Sequence, residues 1–236
     1  MAQDEPAAAP PGGSDPFGAP SLVIFDFDGV VADSEIISLT SLRDVLEKFG
    51  IAGSEEDVRH RYLGASLATI AADVAARSPH GPAEGFEAAW HSVLYDRFRA
   101  ELAPVQGLPA LLDRLDARGL PYCIASSGTF ERISVALGAM DLTHRFPHVF
   151  SAEMVVRGKP APDLFLYAAA AMGVAPRDCL VIEDSPFGIM AAKAAGIRSV
   201  GFTGGAHLAG IRAEHGRKLA ETGASAVIDA LDALSV

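Results

Sequence analysis

Short apolar runs bounded by turn residues recur along the chain, with amphipathic stretches between them. Residues 22–27 (LVIFDF) are largely apolar, β-branched or aromatic and end at an Asp-Gly pair. That pattern predicts a buried strand stopped by a turn. Comparable runs at 121–125 (PYCIA), 179–182 (CLVI), 199–202 (SVGF) and 226–228 (AVI) predict four more strands. Helical spacing separates them. Leu108, Leu111, Leu112 and Leu115 fall on one face of a helix over 108–118, and 130–137, 164–172 and 189–195 read likewise. Asp163, after Pro162, begins its helix with a first-turn carboxylate, and Gly173 and Gly196 are helix stops. Strands alternating with helices predict an α/β architecture, a doubly wound, mostly parallel sheet covered on both faces.

One stretch breaks the alternation. From about Glu35 to Leu102 the spacing is helical, best over 37–49, 65–76 and 84–98, and no strand is apparent. Roughly 65–70 residues of helix are too many for a simple crossover. Residues 35–103 therefore read as an inserted all-helical cap domain, and 21–34 with 104–236 as a Rossmann-like core. Residues 1–20, rich in Ala, Pro and Gly, read as a disordered tail.

Composition narrows the partners. Half of the 236 residues are hydrophobic, enough for a sizeable core, and the formal net charge is −11. An acidic chain repels nucleic-acid phosphates and anionic membranes, so neither is expected as a partner. A small phosphorylated metabolite stays compatible, because a local cation can overrule the global field. No protein partner is implied. Cys123 and Cys179 lie in strand-like runs and read as buried core thiols, which fits a reducing, cytoplasmic setting. The N-terminus lacks a basic region and is broken by prolines, a poor secretion signal.

Chemistry collects at the strand ends. The first run leads into Asp26-Phe27-Asp28-Gly29. Alternation along a strand places Asp26 and Asp28 on one side, where they repel unless a cation or shared proton relieves them. Ligands of open α/β sheets bind outside the carboxyl ends of strands. The second run ends Ser126-Ser127-Gly128, a hydroxyl and turn amides able to hold an anion, although a serine-rich helix cap before Thr129 explains it equally well. Gly158-Lys159-Pro160-Ala161-Pro162-Asp163 holds one lysine in a proline-stiffened loop. The fourth segment ends Glu183-Asp184-Ser185, adjacent acids that suit a hard divalent cation.

The set DFDGVVADSE, ASSG, GKPAPD and IEDS resembles the four ordered motifs of the haloacid dehalogenase-like hydrolase superfamily. It is most similar to the branch with a helical cap between motifs one and two, which includes sugar phosphatases and β-phosphoglucomutase. The resemblance spans about residues 21–205. It implies an Mg2+-dependent phosphatase acting on a small phosphate monoester such as a sugar phosphate. Asp26 is then the nucleophile that becomes an aspartyl-phosphate, and Asp28 the acid and base. Lys159 neutralises charge, and Ser126, Ser127 and Gly128 hold the phosphoryl group. The metal falls to Asp26, the Asp28 main-chain carbonyl, Asp184 and Glu183, the last directly or through water. Asp33 is expected to fix the loop after strand one. Gly188 and Ser185 shape the fourth motif. Glu35, Arg43, Arg59, His60, Arg61, Tyr62 and Ser66 are cap residues able to reach substrate, each also readable as an exposed helix residue. His207 reads as a solvent-facing loop histidine.

Two departures weigh against a phosphomutase: Ser38 stands where that branch carries a cap histidine, and Gly64 leads to Ser66 and Leu67 with no arginine. Phosphonate hydrolysis would need a cap lysine, and Lys48 is the only one. A non-catalytic binding protein on the same fold would be expected to lose the nucleophile, the lysine or the metal acids, and all are present.

Overall fold

The computed structural model describes residues 17, 19–63, 67–79 and 84–235, apart from the Ala68 side chain. Most of the expected tail (1–16 and 18) lies outside them, as do Gly64 and Ser66. Strands β1 (Leu22–Phe25), β2 (Tyr122–Ser126), β3 (Val149–Ser151), β4 (Cys179–Glu183), β5 (Arg198–Phe202) and β6 (Ala226–Ile228) form one parallel sheet. Their order is β3-β2-β1-β4-β5-β6. The five expected strands are present. β3 was not expected, because three residues flanked by Pro147 and a short helical turn carry no readable period. β1 also stops two residues earlier than expected, since Phe27 O accepts the Val31 and Ala32 N–H groups (both 2.9 Å) in a tight turn.

Both sheet faces are apolar, as a doubly covered parallel sheet requires. Val23 and Phe25 pack with α5 (Leu108–Ala117) and α6 (Phe130–Ala139). Leu22 and Ile24 pack with α7 (Asp163–Ala171) and α8 (Pro186–Ala194).

Four helices of the insert precede α5: α1 (Glu35–Lys48), α2 (Glu55–Tyr62), α3 (Leu67–Arg77) and α4 (Phe86–Glu101). Leu42, Val45, Leu94 and Phe98 of α1 and α4 join Phe27, Val30 and Val31 in the core that covers the α5 and α6 face. α2 escaped the hydrophobic reading because only Val58 and Tyr62 are buried in it. Its start is set instead by a capping box, Ser54 with Asp57, a signal legible in the sequence. The last helix, α9 (Arg212–Thr222), is likewise too polar to announce itself: it buries Gly216 and Leu219. Among the described residues no helix is long and apolar enough to cross a membrane.

The chain leaves β1 towards β2 and β3, then returns to β4 on the other side of β1. This reversal opens a crevice beyond the carboxyl ends of β1 and β4, the position where such sheets bind ligands.

Candidate active site

Four chain segments meet in that crevice. Asp26 follows β1, and its N–H donates to Ile182 O at 2.9 Å. Glu183 ends β4 and Asp184 follows it. Lys159 enters from the loop before α7. Its Nζ lies 2.5 Å from Asp26 Oδ1 and 2.7 Å from Glu183 Oε1, and donates to Ala125 O on β2 at 3.0 Å. The ammonium also sits 4.8 Å from the centre of the Phe165 ring, whose face favours a cation.

All four groups are nearly closed off from water: the Lys159 side chain is 4% exposed and that of Glu183 1%. Burial, then the Glu183 charge, raise Asp26 and Asp184 well above the usual carboxylate range. Burial draws Lys159 down, but Asp26 and Glu183 outweigh it and leave the ammonium above its ordinary value. Asp26, Glu183 and Asp184 each offer an oxygen within 4.8 Å of the others. Three carboxylates facing one lysine are an undercompensated, all-oxygen donor set. Such a set fits a hard divalent cation, so the cluster could hold a metal.

Two glycines make room for it. A Cβ on Gly29, at φ +81°, would lie 2.0 Å from Asp184 Oδ2. A Cβ on Gly188 would lie 1.7 Å from Glu183 Oε1. Gly188→Ala must therefore displace the Glu183 carboxylate from Lys159 and from Ser185 N–H (2.8 Å). We expect at least about a tenfold loss of activity and about 1–3 kcal/mol of stability, read by steady-state kinetics and urea unfolding. Wild-type values in both would contradict this packing.

The expectation that strand alternation sets Asp28 beside Asp26 is corrected by the end of β1. Because β1 ends at Phe25, strand alternation does not reach Asp28. Its carboxylate lies outside the three-acid cluster and accepts from Ser34 Oγ (2.5 Å) and Arg132 Nη2 (2.7 Å). At the end of β2, buried Ser126 Oγ accepts from Gly128 N–H at 3.0 Å, Ser127 is exposed, and Gly128 O accepts from Ser151 Oγ at 2.6 Å.

Residues 23–202 match the family model for haloacid dehalogenase-like hydrolases. The chain belongs to that family. It is 31% identical over 189 residues to the 6-phosphogluconate phosphatase of Escherichia coli (strain K12), covering 78% of this chain and 83% of that one. It is 35% identical over 187 residues to the fructose-1-phosphate phosphatase YqaB of the same organism, covering 75% and 94%. A haloacid dehalogenase family hydrolase from Deinococcus radiodurans R1, solved with bound phosphate and sodium, superposes with a TM-score of 0.71 at 29% identity, covering 91% of this chain and 93% of that one. The protein is thus a haloacid dehalogenase-like phosphatase.

Of the other sequence candidates of this phosphatase, Asp33, His207 and Arg59 meet beside the crevice, while Arg43, Arg61 and Tyr62 find their partners within the insert. Asp33 Oδ1 accepts the Ala206 N–H (3.0 Å) and so ties the loop after β1 to the loop after β5. His207, expected to face solvent, is 7% exposed, with Nε2 3.3 Å from Asp184 Oδ2. The reason is local: Gly29 and Gly205 leave the space its ring fills, since a Cβ on either would come within 2.8 Å of His207 Cε1. From the insert, Arg59 Nη2 donates to His207 O at 2.7 Å, bridging insert and core. Arg43 is paired with Asp44 and Glu55, while Arg61 and Tyr62 both engage Asp73. His60 is exposed, and Lys48 ends α1 facing solvent.

Glu35 is half-buried at the start of α1 and pushed up to about 7, first by burial and then by the Asp28 charge. An unfolded glutamate ionises near 4.5, so between these values the folded state binds more protons. The Glu35 contribution to stability is then present in acid and lost as pH rises towards 7. Glu35→Gln should exceed wild type by about 1–2 kcal/mol at about pH 8, with the gap closing by about pH 4. Urea unfolding in chelator measures it, and a gap independent of pH would contradict the assignment.

Proposed function

We propose that this phosphatase hydrolyses a sugar phosphate or closely related metabolite through an aspartyl-phosphate on Asp26, with Mg2+ as its metal. The observation that carries the reading is the buried Asp26 carboxylate, held 2.5 Å from Lys159 and beside Glu183 and Asp184. Asp26 attacks phosphorus, and the bond from phosphorus to the ester oxygen breaks. Asp28 gives its proton to the departing oxygen. It then takes a proton from the water that attacks the aspartyl-phosphate, releasing phosphate and restoring Asp26. Lys159 faces the equatorial phosphoryl charge. Ser126, whose oxygen already accepts from Gly128 N–H, keeps its own proton for a phosphoryl oxygen.

Asp26, Asp184, the Asp28 carbonyl and Glu183, directly or through water, would hold Mg2+. When bound, the ion lets an anionic carboxylate approach an anionic phosphate. The insert acts as a cap that excludes water and contributes substrate contacts. Two buried, free thiols, with Cys123 pushed up to about 12 and Cys179 to about 11 by burial, suit a reducing, cytoplasmic setting.

Similarity to the 6-phosphogluconate and fructose-1-phosphate phosphatases supports the sugar-phosphate class. The test is a screen of phosphorylated metabolites with Mg2+ and, in parallel, with chelator. Hexose and sugar-acid phosphates should lead, and chelator should abolish turnover. An inert enzyme across the panel, or undiminished turnover in chelator, refutes the reading.

A further inference from the structure

Arg132 belongs to none of the four motifs, yet it occupies the junction of core and insert. It lies in the first turn of α6, and its side chain is only 14% exposed. Nη2 donates both to Asp28 Oδ1 (2.7 Å) and to Ser38 Oγ of α1 (2.9 Å). The guanidinium carbon lies 5.6 Å from the centre of the Phe98 ring of α4. Nε is buried with no hydrogen-bond partner among the described residues. A buried guanidinium with an orphaned N–H is a poor device for stability alone. Its shortest contact is to Asp28, a carboxylate that stands beside the cluster without joining it. Ser34 Oγ reaches the same oxygen, Oδ1, at 2.5 Å. Two donors on one oxygen fix the carboxyl plane and leave Oδ2 to exchange a proton.

We infer that Arg132 is a positioning residue that orients Asp28 towards the leaving oxygen, and that it does so through the insert. Ser38 and Phe98 complete its cage, so docking of α1 and α4 fixes the guanidinium and the guanidinium fixes the acid. The inference rests on the assignment of Asp28 as general acid. It predicts a dependence on the leaving group. A phenol of low pKa departs without a proton, whereas a more basic one needs it.

The test is kcat/KM for a series of aryl phosphates from 4-nitrophenyl to phenyl, with Mg2+. This ratio ends at release of the phenol, so later hydrolysis of the aspartyl-phosphate does not enter it. The series lacks sugar hydroxyls, so lost sugar contacts do not enter either. Arg132→Met should lose on the order of tenfold more on phenyl than on 4-nitrophenyl phosphate. Arg132→Lys should recover part of that difference, and Ser38→Ala should show it in smaller degree. Equal loss on every ester in both arginine variants, or no loss in either, overturns the inference. Asp28→Asn separates the two levels. If its leaving-group dependence matches wild type, the acid assignment falls and the inference with it. If Asp28→Asn is steep while both Arg132 variants are not, the inference alone is wrong.

Discussion

Asp26→Asn should abolish turnover, by at least about 10³-fold on every phosphate ester tested, while the protein stays folded. An asparagine amide is close to the carboxylate in shape, so β1, the turn at Phe27 and the N–H bond to Ile182 are kept. What is lost is the anionic oxygen that attacks phosphorus. Stability should move the opposite way from activity. In the fold Asp26 ionises at a higher pH than a free aspartate, because burial and the neighbouring acids oppose its charge. Over that window the native state binds more protons than the unfolded one, so ionisation of Asp26 costs stability as pH rises. Asparagine carries no such charge. The melting temperature without metal, followed by circular dichroism at neutral pH, should equal or exceed wild type. Activity near wild type would remove Asp26 from the mechanism. A collapsed melting temperature would mean that the loss reports folding instead.

Lys159→Met should be the most damaging substitution to stability. It removes the one ammonium that contacts Asp26, Glu183 and the Ala125 carbonyl together. Stranding buried charge costs about 3–5 kcal/mol. The lower end is expected here, because burial raises Asp26 and Asp184 and so eases their uptake of protons once the ammonium is gone. For a chain of this length that corresponds to a fall in melting temperature on the order of 10 °C. Mg2+ should restore more of the melting temperature in the variant than it adds to wild type, since three carboxylates without their lysine attract a cation more strongly. Activity should stay about 10²-fold down or more, because the metal cannot reproduce a donor aimed at the phosphoryl oxygens. Recovery of activity along with stability would reduce Lys159 to a purely structural role.

Much of the scaffold was legible along the chain. Runs such as LVIF, YCIA and CLVI are apolar on both sides of the strand, which only a doubly covered sheet permits. Aspartate or glutamate directly after such a run has no place in a core, so Asp26, Glu183 and Asp184 stood out. The silent elements were those that depend on long-range packing. β3 is three residues long, α2 contributes two buried side chains, and α9 is polar around nearly its whole circumference.

By itself, the sequence determined the presence of five strands and their places to within two residues, the interruption by a helical insert and the chemical type of group that follows β1, β2 and β4. Local periodicity and composition suffice for these, because each depends on residues within a few positions of one another. Tertiary structure alone decided the partners. Lys159 meets Asp26 across 133 residues, Arg132 meets Asp28 across 104, and Arg59 meets the His207 carbonyl across 148. It also set the Asp28 carboxylate against Ser34 and Arg132 and buried His207 beside Asp184. A side chain's direction at the end of a strand is set by which distant donor or acid reaches it first, and no local pattern along the chain encodes that distance.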